Sequence, residues 1–97
     1  MKIKYYAEIS DWSGCAEEEV SIALGDEPEI PVRRIISFLA ARHGDTFRHR
    51  IYDPATDILQ DDVFILLNGR HLARLNGLDS MASDKDTLAV IPVTEAG

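Results

Sequence analysis

His43, His49 and His71 carry the imidazoles of this chain and Cys15 its thiol, and their spacing works against the chemistry such groups usually do. No histidine shares a helical i, i+4 pair with another ligand, so no metal site is expected. Asp84 and Asp86 lack the remaining oxygens of a calcium loop. Cys15 follows Gly14 and precedes Glu17, Glu18 and Glu19; nearby carboxylates raise a thiol pKa and oppose a thiolate nucleophile. A single cysteine forms no intrachain disulfide, iron–sulfur cluster or Cys-rich zinc site, which suits a reducing cytoplasmic setting. There is no G-x-S-x-G elbow, and the six glycines assemble neither phosphate-cradling pattern. An intrinsic catalytic site is therefore not expected.

With 97 residues the chain forms one domain around one core. Ten Lys and Arg stand against 17 Asp and Glu, a net charge of −7. That balance disfavours nucleic acid, which needs clustered cations, and favours basic protein surfaces as partners. No run approaches the roughly 20 apolar residues of a membrane helix, and Met1-Lys2-Ile3-Lys4 opens no secretory h-region. The charges are segregated: eight acids and no Lys or Arg over Glu8–Glu29, then five arginines and two histidines against Asp45 alone over Arg33–Arg50.

The elements that would position any functional surface follow from periodicity. Ile3, Tyr5, Ala7 and Ile9 alternate with polar neighbours, which predicts a half-buried strand over 2–9. Ser10–Gly14 reads as a turn. Val20, Ile22 and Leu24 alternate again until Gly25-Asp26, which predicts a hairpin with the first strand. Pro31 suits the first turn of a helix. Val32, Ile35, Ile36, Leu39 and Ala40 then recur at helical spacing, His43 closes the stripe, and Gly44 is expected as a left-handed C-terminal cap. The main helix is thus placed at about 31–43, with its basic residues Arg33, Arg34 and Arg42 on a solvated face. Asp45 is a candidate cap for a short helix to Tyr52, and Asp53-Pro54 marks a turn. Val63–Leu67 is an apolar strand, and Asn68-Gly69 is the favoured pair for a type I′ turn. A short strand at 70–72, a tight loop or helical turn at 75–80 and a last strand over 87–93 complete the chain. This order predicts an α+β, single-domain β-grasp: a mixed four- to five-stranded sheet over one main helix.

One helix covers one face of such a sheet. Phe64 and Leu66, then Ala89 and Ile91, have the opposite parity to the residues that face the helix. With Tyr6 they are expected on the open face as a partner interface; the alternative is that residues 45–61 fold over them.

Several segments in this order resemble the MoaD/ThiS family of ubiquitin-like sulfur carriers, of the molybdopterin-synthase small-subunit type. They are Lys2–Ala7, Phe64-Ile65-Leu66-Leu67-Asn68-Gly69-Arg70, Leu75-Asn76-Gly77-Leu78-Asp79, Asp84-Lys85-Asp86-Thr87-Leu88, Ile91-Pro92-Val93 and a small-residue tail ending in glycine. The resemblance implies a carrier, not an enzyme. It implies a β-grasp domain over 1–93 and a flexible tail over 94–97, with Thr94, Glu95 and Ala96 threading into a partner and Gly97 adenylated, then thiocarboxylated. No cofactor is bound; ATP is used by a ubiquitin-activating-type adenylating enzyme. The other partner is a molybdopterin-synthase-like large subunit. The alternatives it leaves open are a ubiquitin-like interaction module, a protein modifier, or a sulfur carrier for thiazole synthesis or tRNA thiolation. The family ends in Gly-Gly where this chain has Ala96-Gly97, so Ala96 either is tolerated or a further glycine follows.

Overall fold

The alternation of the first strand and the apolar run at 63–67 lay down two strands, and the last strand slots between them. The computed structural model describes residues 1–21 and 28–93. In chain order the elements are β1 (Lys2–Tyr5), α1 (Ile9–Ser13), β2 (Glu17–Glu19), β3 (Ile30–Pro31), α2 (Val32–His43), α3 (Asp45–Arg50), β4 (Tyr52–Asp53), β5 (Ile58–Leu59), β6 (Val63–Leu67), β7 (Arg70–His71), β8 (Met81–Ala82) and β9 (Thr87–Pro92). Short 3-10 turns at Leu72–Arg74 and Gly77–Asp79 join β7 to β8. The main sheet has five strands in the order β2-β1-β9-β6-β7, with β1 and β9 parallel and the other pairs antiparallel. Two small ribbons, β3-β8 and β4-β5, flank it. This is the β-grasp plan expected from the element order.

Period two divides β6 and β9 cleanly. Val63, Ile65 and Leu67, with Leu88 and Val90, are buried against the helix side, beside Ile3 and Tyr5 of β1. The α2 stripe (Val32, Ile35, Ile36, Leu39 and Ala40) covers them and is itself buried. Each such aliphatic side chain contributes about 1.5–3 kcal/mol on burial.

Several boundaries differ from the sequence expectation. Pro31 caps α2 from outside, in extended conformation (φ −64°, ψ 143°), because its neighbour Ile30 pairs with Ala82. Gly44 does not adopt the left-handed helical conformation. Its φ of 88° with ψ of −154° is a region open essentially to glycine, and it turns the chain so sharply that α3 starts at Asp45. α3 ends at Arg50, and the Asp45 carboxylate pairs with Arg48 rather than capping the helix. Ser10–Gly14 is a short helix, not a turn. Ile9 is buried, the Ser13 hydroxyl donates back to the Ile9 carbonyl, and Gly14 closes α1 (φ 83°, ψ 4°).

The hairpin partner of β1 is Glu17–Glu19, ahead of the expected Val20–Leu24 alternation. Three consecutive glutamates are poor strand formers. Pairing with a lysine-bearing strand overrides that propensity: Glu17 lies 3.4 Å from Lys2 and Glu19 lies 3.8 Å from the amino terminus. Ile22, Leu24 and Gly25-Asp26 fall outside the described residues, as do Thr94–Gly97.

Candidate functional site

The outward parity of the central strands builds one continuous strip. β6 and β9 register Phe64 against Ile91 and Leu66 against Ala89. All four side chains are half-buried on the face away from α2, while their sequence neighbours are inside. The fold thus brings the four expected interface residues together. Residues 45–61 do not cover them: Phe47, Ile51 and Tyr52 are buried where α3 and β4 pack beside α1 and α2.

Three features frame the strip. On the β7 side, His71 stands opposite Leu66 and its ring meets Phe64 edge-on, with centroids 4.5 Å apart. On the β1 side, Lys4 registers with Ala89, and Tyr6, 43% exposed, donates its N–H to the Val90 carbonyl. At the carboxyl end of β9 the Val93 N–H is held by the Asp62 carbonyl at 2.9 Å. β9 therefore ends in the centre of the sheet, at the end of the strip that carries Phe64 and Ile91.

The turn that aims β6 into β7 is the expected type I′, with φ 51° at Asn68 and 83° at Gly69. Asn68 does more than turn. Its amide Nδ2 donates to Asp86 Oδ1, and its Oδ1 accepts from the Thr87 N–H, both at 2.9 Å. Asp86 also accepts from the Ser83 N–H at 2.8 Å. The Asn68 amide, then the Ser83 N–H, hold the Asp86 carboxyl below the usual carboxylate range. Two segments that carried the resemblance are thus one hydrogen-bonded clamp that fixes the start of β9.

The helix side holds two polar clusters that no sequence pattern pointed to. At the β2 edge, Glu18 is the hub. Its Oε2 accepts from the Tyr5 hydroxyl at 2.8 Å and lies 2.6 Å from His43 Nε2, while its Oε1 lies 3.1 Å from Arg42 Nε. Cys15 Sγ is 3.7 Å from the same carboxylate. Burial, then the Glu18 charge, pushes the Cys15 thiol up, as the flanking glutamates suggested. Burial, then Glu18, likewise holds the Tyr5 phenol well above its ordinary value. The signal for this cluster was the parity of Glu18, opposite to Glu17 and Glu19 once β2 is placed.

On the other flank Arg33 bridges Asp57 and Asp79, and the Tyr52 hydroxyl donates to Asp57. Arg33 and Arg42 are therefore engaged by carboxylates rather than merely solvated. The Tyr52 hydroxyl, then the Arg33 guanidinium, lower the Asp57 carboxyl. Among the described residues no three His, Cys, Asp or Glu side chains stand together as a metal site, and no helix is long and apolar enough to cross a membrane. Thr94, Glu95, Ala96 and Gly97, expected as the working tail, lie outside the described residues.

No family model and no curated protein matches the sequence. Solved structures do match the fold. Small archaeal modifier protein 1 from Methanosarcina acetivorans superposes with a TM-score of 0.73 at 22% identity, over 99% of this chain and 94% of that one. A putative molybdopterin converting factor subunit 1 from Pyrococcus furiosus gives 0.69 at 29% identity, over 94% and 93%. The CysO-type match from Amycolatopsis orientalis, solved in a BexX/CysO complex, gives 0.71 at 18% identity, over 94% and 92%. The chain has the ubiquitin-like β-grasp fold of these neighbours, and the resemblance read in its sequence extends to its three-dimensional structure.

Proposed function

We propose that this chain is a cytoplasmic sulfur carrier of the molybdopterin-synthase small-subunit type. It works as a β-grasp domain over residues 1–93 with a tail over 94–97, whose terminal Gly97 carboxylate is the reacting group. The observation that carries this reading is the route of β9. It is the central strand, and it ends beside the half-buried strip of Phe64, Leu66, Ala89 and Ile91. A partner that covers the strip meets the end of β9 at the same place. The 29% identity to the putative molybdopterin converting factor subunit supports the molybdopterin branch.

In this reading a ubiquitin-activating-type enzyme supplies the catalytic groups. The Gly97 carboxylate attacks the α-phosphate of ATP, pyrophosphate leaves, and the acyl adenylate carries AMP as a good leaving group. A sulfur donor then replaces AMP to give the thiocarboxylate. A molybdopterin-synthase-like large subunit receives the tail; Thr94, Glu95 and Ala96 form the narrow lead, and glycine has no Cβ to obstruct approach.

The test is intact mass after incubation with such an enzyme, ATP and a sulfur donor. The expected result is replacement of one oxygen by sulfur, abolished when Gly97 is deleted. No change in this chain or in a version extended by one glycine, with an enzyme shown to bind it, rejects the carrier reading. The small archaeal modifier protein among the neighbours favours a second reading, protein modification through the same tail. It predicts Gly97–lysine isopeptides in digests of cell protein.

A further inference from the structure

Most arginines on this acidic surface are occupied. Arg33, Arg42 and Arg48 contact carboxylates, and Arg50 lies 5.4 Å from the centre of the Trp12 ring. Arg70 and Arg74 differ. Both are exposed, and neither has a carboxylate, carbonyl or ring partner among the described residues, although acids outnumber bases 17 to 10.

The two share a site. Both line a hollow of about 620 Å³ at the β7 edge of the sheet, walled by Leu66, Ala73 and Leu75. A second hollow of about 480 Å³ adjoins it through Arg70 and Leu75. No acidic side chain lines either one. His71 lines the first hollow as well, and its Nδ1 accepts the Ala73 N–H at 3.0 Å. That bond places the ring proton on Nε2, which becomes a donor. An apolar floor is thus ringed by two guanidinium forks and an imidazole N–H.

We propose that this hollow is a docking site for an acidic, leucine-bearing segment of a partner protein. The apolar side chain enters between Leu66 and Leu75, and flanking carboxylates bind the forks of Arg70 and Arg74. A guanidinium matches a carboxylate bidentately and is weakly hydrated, which suits a site with apolar walls. Two cations on a chain of net charge −7 offer too few phosphate contacts for nucleic acid, and the leucine floor gives bases nothing to stack on. A second copy fits less well, because the acids of its β2 edge are already engaged: Glu17 by Lys2 and Glu19 by the amino terminus. The site extends the strip past Leu66 to the β7 edge, and it requires nothing of Gly97, so peptide binding there is read separately from the tail chemistry.

The experiment is a titration of the ¹⁵N-labelled chain, followed by amide shifts. The ligand is a blocked peptide of alternating glutamate and leucine; a lysine–leucine peptide of the same length is the control. The acidic peptide is expected to move the amides of residues 69–75 saturably, less so as salt rises, and the lysine peptide to leave them in place. Charge reversal in R70E/R74E is expected to weaken binding at least about tenfold. R70K/R74K, which keeps charge and loses the forks, should lie between. Amide dispersion in each variant reports that the fold is kept. Equal response to both peptides, shifts unmoved by R70E/R74E, or no saturable response overturns the proposal. Shifts of residues 69–75 that change with protein concentration alone, without peptide, assign the hollow to a second copy and also overturn it.

Discussion

The two faces of the central strands treat polar groups in opposite ways. On the helix side the charges are gathered into clusters: near-buried Glu18 meets Tyr5, His43 and Arg42, and at the surface Arg33 meets Asp57 and Asp79. No buried side-chain nitrogen or oxygen among the described residues lacks a hydrogen bond. On the open side the apolar residues are only half covered, and Arg70 and Arg74 beside them are unmatched among the described residues. A fold needs its own buried charges neutralised, because an unpaired buried group costs its full desolvation. A docking face is the reverse, since groups left unmatched are those a partner can match. The contrast separates residues that hold the domain from residues available for its work, within single strands.

The sharpest test uses one strand. Leu88 and Ile91 both sit in β9, but only Leu88 is fully buried. Leu88→Ala should cost about 2–5 kcal/mol through lost transfer energy and an unfilled cavity. Ile91→Ala should cost about 1 kcal/mol or less. Midpoints of urea unfolding measure both, and equal losses would mean that the strip is core rather than surface.

The next effect belongs to Glu18. Glu18→Gln keeps the shape and removes the charge shared by Tyr5, His43 and Arg42, so stability should fall by about 1–3 kcal/mol. It should also speed alkylation of Cys15 at neutral pH, because the carboxylate is one of the groups holding that thiol protonated. Unchanged alkylation would assign the thiol's inertness to burial alone.

The smallest effect is in pH dependence. The Tyr5 phenol titrates above its ordinary value in the folded chain, chiefly through burial and then through Glu18. The unfolded chain therefore loses this proton first. Stability from Tyr5 is intact below about pH 10 and is lost as pH rises through and beyond it. Unfolding curves at stepped alkaline pH should show that fall in the parent and a shallower one in Tyr5→Phe. Identical slopes would remove Tyr5 from the cluster's account.

The sheet, the main helix and the strip were legible because period two and period 3.6 are local signals. Val63–Leu67 and the Asn68-Gly69 turn fixed β6 and its hairpin, and parity alone put Phe64, Leu66, Ala89 and Ile91 on one face. What was not legible depends on contacts far apart in sequence. β2 forms from Glu17–Glu19 because Lys2 and the amino terminus lie alongside, which no propensity expresses. Glu18 meets His43 only after β2 and α2 have been placed. Arg70 and Arg74 carry no sequence pattern; only the folded chain puts both on one hollow with no partner among the described residues.

The place of β9 also bears on how the molecule is made. Of the five strands of the main sheet a ribosome releases β1 first and β9 last, yet β9 is the strand that joins β1 to β6. Until Thr87–Pro92 has emerged, the growing chain holds two partial sheets with bare edges facing each other, and closing them is a long-range event. A chain that stops before Thr87 lacks the keystone of the sheet rather than an ornament at its end. Synthesis thus carries its own length check: chains that complete the sheet are those long enough to reach Pro92.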